Sequence, residues 1–102
     1  MSIKKQYLKS KPVCKVTFRL NRKIAGQARK ACVAADFNEW RAEKTPMKML
    51  KSGDFTVTVA LAKGREYQYR YVLDDQIWIT DDGADKYVSA GISDIENAVV
   101  VL

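Results

Sequence analysis

Two tryptophans and one arginine are the residues of this chain best suited to chemistry, and what they could do is recognition rather than reaction. The 102 residues contain no histidine. The commonest general base and nitrogen ligand near neutral pH is therefore absent, which excludes Ser-His-Asp, Cys-His and histidine–metal sites. Cys14 and Cys32 are the only cysteines, and a pair at that spacing without histidine does not make a zinc site. Carboxylates are present, but a paired-carboxylate hydrolase is normally carried in a deep cleft on a larger scaffold. No enzyme, cofactor or metal site is expected.

Trp40 ends the polar run Asp36-Phe37-Asn38-Glu39-Trp40. Trp78 follows the acidic turn Asp74-Asp75-Gln76, in the apolar run Ile77-Trp78-Ile79, which is too short to bury both its faces. Arg70 falls between them in Tyr67-Gln68-Tyr69-Arg70-Tyr71, where it alternates with three tyrosines and so faces away from them. A flat exposed indole can cover the C–H face of a sugar ring, while charged or amide side chains bridge its hydroxyls. The competing role for each tryptophan is core packing, since burying such a side chain is worth about 1.5–3 kcal/mol or more. An isolated strand arginine is by default a solvated residue. Spacing alone leaves both roles open, whereas Phe37 is assigned to the core in either case.

The elements that must position these residues are short strands. Over 13–20, Cys14, Val16, Phe18 and Leu20 alternate with Lys15, Thr17 and Arg19, the period of a half-buried strand. Further strands are expected over about 29–35, with Ala31, Val33 and Ala35 inward, and over 45–50, 55–61, 67–71, 77–79 and 98–102. Ser52-Gly53-Asp54 and Lys63-Gly64 supply turns between them. No convincing helix is found, because Gly26 and short length count against 25–31. About seven short strands, with turn signals roughly every ten residues, imply an all-β fold: an immunoglobulin-like antiparallel β-sandwich of two sheets.

A chain of this length builds one core. Residues 1–12 read as a basic N-terminal leader and 13–102 as the sandwich domain. No stretch is long and apolar enough to cross a bilayer, and the lysine-rich start lacks the apolar run of a signal peptide, so the cytoplasm is the expected location. The two cysteines are accordingly expected to be reduced. The net charge of +6 is uneven: residues 1–35 hold no Asp or Glu, while Asp74, Asp75, Asp81, Asp82, Asp85, Asp94 and Glu96 weight the remainder towards acid. A basic edge can attract nucleic acid. Here no basic cluster is interleaved with stacking aromatics, so neither nucleic acid nor a membrane is an expected partner.

Several motifs occur in one order over about 13–102: Ala34-Ala35-Asp36-Phe37-Asn38-Glu39-Trp40, Pro46-Met47, Gly53-Asp54-Phe55, Leu61, Gly64, the tyrosine run with Asp74, Trp78, and Glu96-Asn97-Ala98-Val99-Val100-Val101. Together they resemble the isoamylase N-terminal, or early-set, domain grouped as carbohydrate-binding module family 48. That domain is found in glycogen branching and debranching enzymes and in the β subunit of the AMP-activated protein kinase. In layout the chain is most similar to free-standing bacterial forms. The resemblance implies non-catalytic binding of an α-glucan of the glycogen or starch kind, with a glycogen-metabolising enzyme as a further partner. Carried over by motif, the two tryptophans are Trp40 and Trp78, and the basic residue is Arg70. The final loop adds Glu96 and Asn97 as carbohydrate ligands.

The chain also departs from the family pattern. Ala35 stands where the family has glycine, which implies a reshaped turn into Asp36, and Asp75 replaces the glycine of the turn before Trp78. Ile77 reads as an extra residue before Trp78, implying a shifted indole. In the last loop Ala90, Ile92 and Glu96 replace a bulky apolar, Gly-Thr and asparagine pattern, which implies weakened binding. The alternative these departures motivate is a protein-interaction or regulatory β-sandwich that has kept the fold and lost the sugar.

Overall fold

The computed structural model describes residues 3–91 and 95–102. Within them run β1 (Ile3–Tyr7), β2 (Val13–Leu20), β3 (Ala31–Ala35), β4 (Lys48–Met49), β5 (Phe55–Ala62), β6 (Glu66–Leu73), β7 (Ile77–Ile79), β8 (Lys86–Ser89) and β9 (Glu96–Val101). One sheet has the order β1-β2-β5-β4; the other has β3-β6-β9-β8, with β7 also paired to β6. Every pairing is antiparallel. The architecture is the all-β sandwich expected, with more strands than the seven counted from pattern.

Alternation builds the core between the sheets. Cys14, Val16, Phe18 and Leu20 of β2 face Tyr67, Tyr69, Tyr71 and Leu73 of β6 across the sandwich, all buried. Phe18 meets Tyr69 edge-on at 4.9 Å between ring centroids, and Tyr69 meets Tyr71 at 5.8 Å. Phe37 packs against this cluster, 6.1 Å from both Phe18 and Tyr67. The two cysteines are free and buried. Cys14 faces the core from one sheet, and Cys32 lies on the outer side of β3 in the other. Burial pushes the Cys32 thiol up from its ordinary value.

Three elements differ from the sequence reading, one of them β8, which lies in a stretch expected to be a polar loop. The stretch 1–12, expected as a leader, supplies β1, which pairs along β2 from Ile3 opposite Phe18 to Tyr7 opposite Cys14. Its alternation is masked because Lys5, on the inward side, reaches Asp85 at 2.7 Å instead of packing. An inward charge of this kind also blunts an edge strand against further pairing. The polar connection after β2 holds one helical turn, Arg22–Ala25, started by Asn21, whose side chain accepts the Lys23 N–H, and ended by Gly26 at φ 63. A helix of four residues leaves no periodicity to read.

A buried carboxylate ties the core to the loop after β7. Asp81 accepts the hydroxyls of Tyr69 at 2.6 Å and Tyr71 at 3.1 Å, and the Gly83 N–H at 3.0 Å. Burial first, and the Asp81 charge second, hold both phenols well above the ordinary tyrosine value of 10.0. The unfolded chain releases these protons near pH 10.0 and the folded chain does not. Stability is therefore at its full value below that pH, and it declines above it by about 1.4 kcal/mol per pH unit for each tyrosine. Alkaline titration should show phenolate absorbance from these two residues rising together with loss of the β-sheet circular dichroism. Tyr71→Phe should make the decline shallower. Full ionisation of all five tyrosines in a folded protein would contradict this account.

Candidate carbohydrate-binding surface

The face of the second sheet that points away from the core is set by register. Ala34 pairs with Arg70 and Cys32 with Val72; Val72 pairs with Trp78; Gln68 pairs with Val99; Asn97 pairs with Val88. Cys32, Ala34, Val72 and Val99 are nearly inaccessible although they face outward. This is why all of β3 is buried, where only every second residue was expected to be. They form a small-residue floor beneath larger side chains.

Trp78 and Arg70 lie together on that floor. The guanidinium carbon sits 5.8 Å from the indole centroid, and Nη2 donates to the Trp78 carbonyl at 3.1 Å. The stacked arrangement is a cation–π contact that fixes both groups. Trp78 nevertheless remains 42% exposed. Arg70 Nε is buried and finds no acceptor among the described residues, so part of the guanidinium is desolvated without compensation.

The hairpin that carries Trp78 is braced from outside the sheet. Asp74 and Asp75 take φ of 49° and 59°, the left-handed region that glycine enters freely and Asp or Asn more readily than other residues. Gln76 N–H closes the turn on Leu73 at 2.9 Å. The Asp74 carboxylate accepts the backbone N–H of Arg29 at 2.9 Å and of Lys30 at 3.0 Å, while Asp75 pairs with the Lys30 ammonium at 3.0 Å. Asp75 thus holds a left-handed conformation without glycine, its backbone braced by these contacts. Ile77 pairs opposite Leu73 and is exposed, leaving Trp78 opposite Val72 and facing Arg70.

Trp40 comes from the loop leaving β3. Ala35 is extended at φ −157°, so alanine fits there without strain and no glycine is needed. The left-handed residues are instead Glu39 at 59° and Trp40 at 60°, each costing about 1–2 kcal/mol. Strain of this kind persists where surrounding structure over-determines it and gathers at functional sites. Here Asn38, itself buried, accepts the Ala35 N–H at 3.0 Å and donates to Val33 C=O and Thr45 Oγ1, both at 2.8 Å. The Trp40 N–H closes back on Ala35 C=O at 2.9 Å, and Asp36 accepts the Gln68 N–H at 2.7 Å. Trp40 is half-buried. Three adjacent strands, β3, β6 and β7, therefore lead to Trp40, Arg70 and Trp78 in turn.

On the other side of β6 the sheet forks. β9 pairs with β6 up to Tyr69, β7 pairs from Tyr71 onward, and Arg70 stands between. Asn97 faces outward and donates to Gln68 Oε1 at 3.0 Å, leaving the Gln68 amide nitrogen and the Asn97 carbonyl oxygen without a partner in that pair. Glu96 is exposed, and its backbone carbonyl accepts from Thr80 Oγ1 at 2.7 Å. Ala90, half-buried, donates its N–H to Ile95 C=O at 2.9 Å; Ile92 lies outside the described residues. Gln68, which the strand period places on the same face as Arg70, was not among the candidate ligands expected from the sequence. Among the described residues, no group of three or more Cys, Asp or Glu is placed to hold a metal ion.

An open sheet face of this kind, small residues beneath an indole and a guanidinium, is suited to covering the C–H face of a sugar ring. A family model described as the glycogen recognition site of AMP-activated protein kinase matches residues 18–101, and the chain belongs to that family. No curated protein matches it.

The geometry makes stability and surface separable. Asn38→Ala leaves the Ala35 N–H and Val33 C=O unpaired in a buried place and should cost about 2–4 kcal/mol in urea denaturation, with a shift in tryptophan emission. Trp78→Ala, at an exposed position, should cost less than about 1 kcal/mol. Equal stability of Asn38→Ala and wild type would remove the account of how the Trp40 loop is held.

Proposed function

We propose that the protein binds an α-glucan of the glycogen or starch kind without cleaving it. The half-exposed Trp78 ring, locked against Arg70, carries this reading. Trp78 and Trp40 stack on glucose units, Arg70 bonds hydroxyls, and Glu96 and Asn97 supply acceptors at the margin. Membership of a glycogen-recognition family supports the ligand class. The absence of histidine supports a binding role in place of a catalytic one. Affinity is weak, because a shallow face buries little of its ligand. Two free buried cysteines suit a reducing compartment, and no helix among the described residues is long and apolar enough to cross a membrane. The cytoplasm is the location this favours, and a glycogen-metabolising enzyme is the protein partner such a module would serve.

Titration with maltoheptaose should quench or shift tryptophan fluorescence in the micromolar to millimolar range. Trp78→Ala and Arg70→Ala should each weaken binding about tenfold, or ~1.4 kcal/mol. Because the ligand is uncharged, affinity should hardly change with salt, unlike a nucleic-acid complex. No response up to millimolar oligosaccharide rejects the proposal.

A further inference from the structure

We infer that the recognition surface bends round Arg70 into a groove at the fork of the sheet, and that this groove takes a further glucose unit of the same chain, with Tyr87 as its platform. The inference rests on the glucan reading and extends it. The groove, of about 450 Å³, is lined by Arg70, Thr80, Tyr87, Ile95 and Glu96 among others. Its volume lies within the range of small-ligand sites, roughly 300–1,000 Å³. Arg70 faces outward on the proposed surface and also lines the groove, so a ligand lying over one can continue into the other.

Tyr87 has the properties of a fixed platform. It lies on β8 and is 40% exposed. Its hydroxyl donates to Asp81 C=O at 2.7 Å and accepts the Ala84 N–H at 3.4 Å. The ring is thus held at its tip while much of its surface stays open, and it loses little freedom when a sugar stacks on it. Ile95, 39% exposed, adds apolar surface. The polar complement is also present: Arg70 on the groove lining supplies N–H donors, and the exposed Glu96 carboxylate is an acceptor. Thr80 Oγ1, bonded to the Glu96 carbonyl, closes the fork behind them. The path from the sheet face to its edge is curved. Successive rings of an α-1,4-linked glucan turn relative to one another, so that chain can follow such a path where a straight, ribbon-like β-linked chain cannot.

The test compares chain lengths. Calorimetric titrations of wild type, Tyr87→Leu and Ile95→Ser with maltotriose and maltoheptaose give, for each protein, the affinity ratio of long to short ligand. Wild type should favour maltoheptaose, and Tyr87→Leu should cut that ratio about fivefold, the worth of one stacked ring. Tyr87→Phe, which keeps the ring and loses the tether, should retain most of the ratio. Ile95→Ser alters only an exposed wall and provides a folded variant if Tyr87→Leu loses stability; it should lower the ratio in the same direction. An unchanged ratio in folded Tyr87→Leu and Ile95→Ser overturns the groove and leaves the glucan reading intact. Failure of wild type to bind either sugar overturns both.

Discussion

Strand β6 carries the core and the candidate recognition surface on opposite faces, and its two-residue period is the constraint on which the molecule depends. Tyr67, Tyr69 and Tyr71 must point inward to meet Phe18 and the Asp81 carboxylate. Once they do, Gln68, Arg70 and Val72 have no choice but to face out. A slip of one residue would bury a guanidinium and expose three phenols. The core therefore enforces the position of Arg70, and with it the place where Trp78 can stack. β6 is also the strand on which β3, β7 and β9 all pair, so each neighbour takes its register from the same alternation.

The loops on either side of β6 achieve their placement in different ways. The Asp74-Asp75 turn adopts positive φ at two aspartates, and its carboxylates are tied to backbone and ammonium groups ahead of β3. The loop bearing Trp40 has two left-handed residues in succession and depends on Asn38 for its shape. The Asn38 partners all lie within 7 residues of it, whereas in the Asp74-Asp75 turn acidic side chains of a late segment meet an early basic one. The same pattern explains the uneven charge of the sequence. Lys5, Arg19 and Lys30, from the acid-free first third, pair with Asp85, Asp54 and Asp75. Such exposed pairs contribute little energy individually. Their effect is to place the basic and acidic parts of the chain side by side.

What could be read from sequence follows the range of the interactions. The long strands β2, β5 and β6 announce themselves because eight residues of alternation are a local signal. Arg70 and its outward face come from that alternation directly, and the setting of Trp78 from the turn before it. β1 was not legible, since Ile3 and Tyr7 are its only apolar residues and Lys5 faces inward to a carboxylate 80 positions away. β8 lay hidden in a polar stretch, and Tyr87 with it, because the tether of its hydroxyl belongs to a loop conformation that no spacing reveals. The glycine-to-alanine change at Ala35 suggested a reshaped turn; the backbone there is extended, and the strained residues lie four and five positions later. The Asn97–Gln68 pair is likewise a contact between strands 29 residues apart.

Asp85 accepts both the Lys5 ammonium from the first sheet and the Val101 N–H from the second, each at 2.7 Å. This clasp pins the two layers at their open edge, yet none of the candidate sugar ligands spans the layers: Arg70, Trp78, Glu96 and Asn97 sit in the second sheet, and Trp40 hangs from it by the Ala35 carbonyl. Sliding of one plate over the other would leave their mutual spacing untouched. A ligand on these residues would therefore touch one plate alone, and the other would carry it only through the shared core.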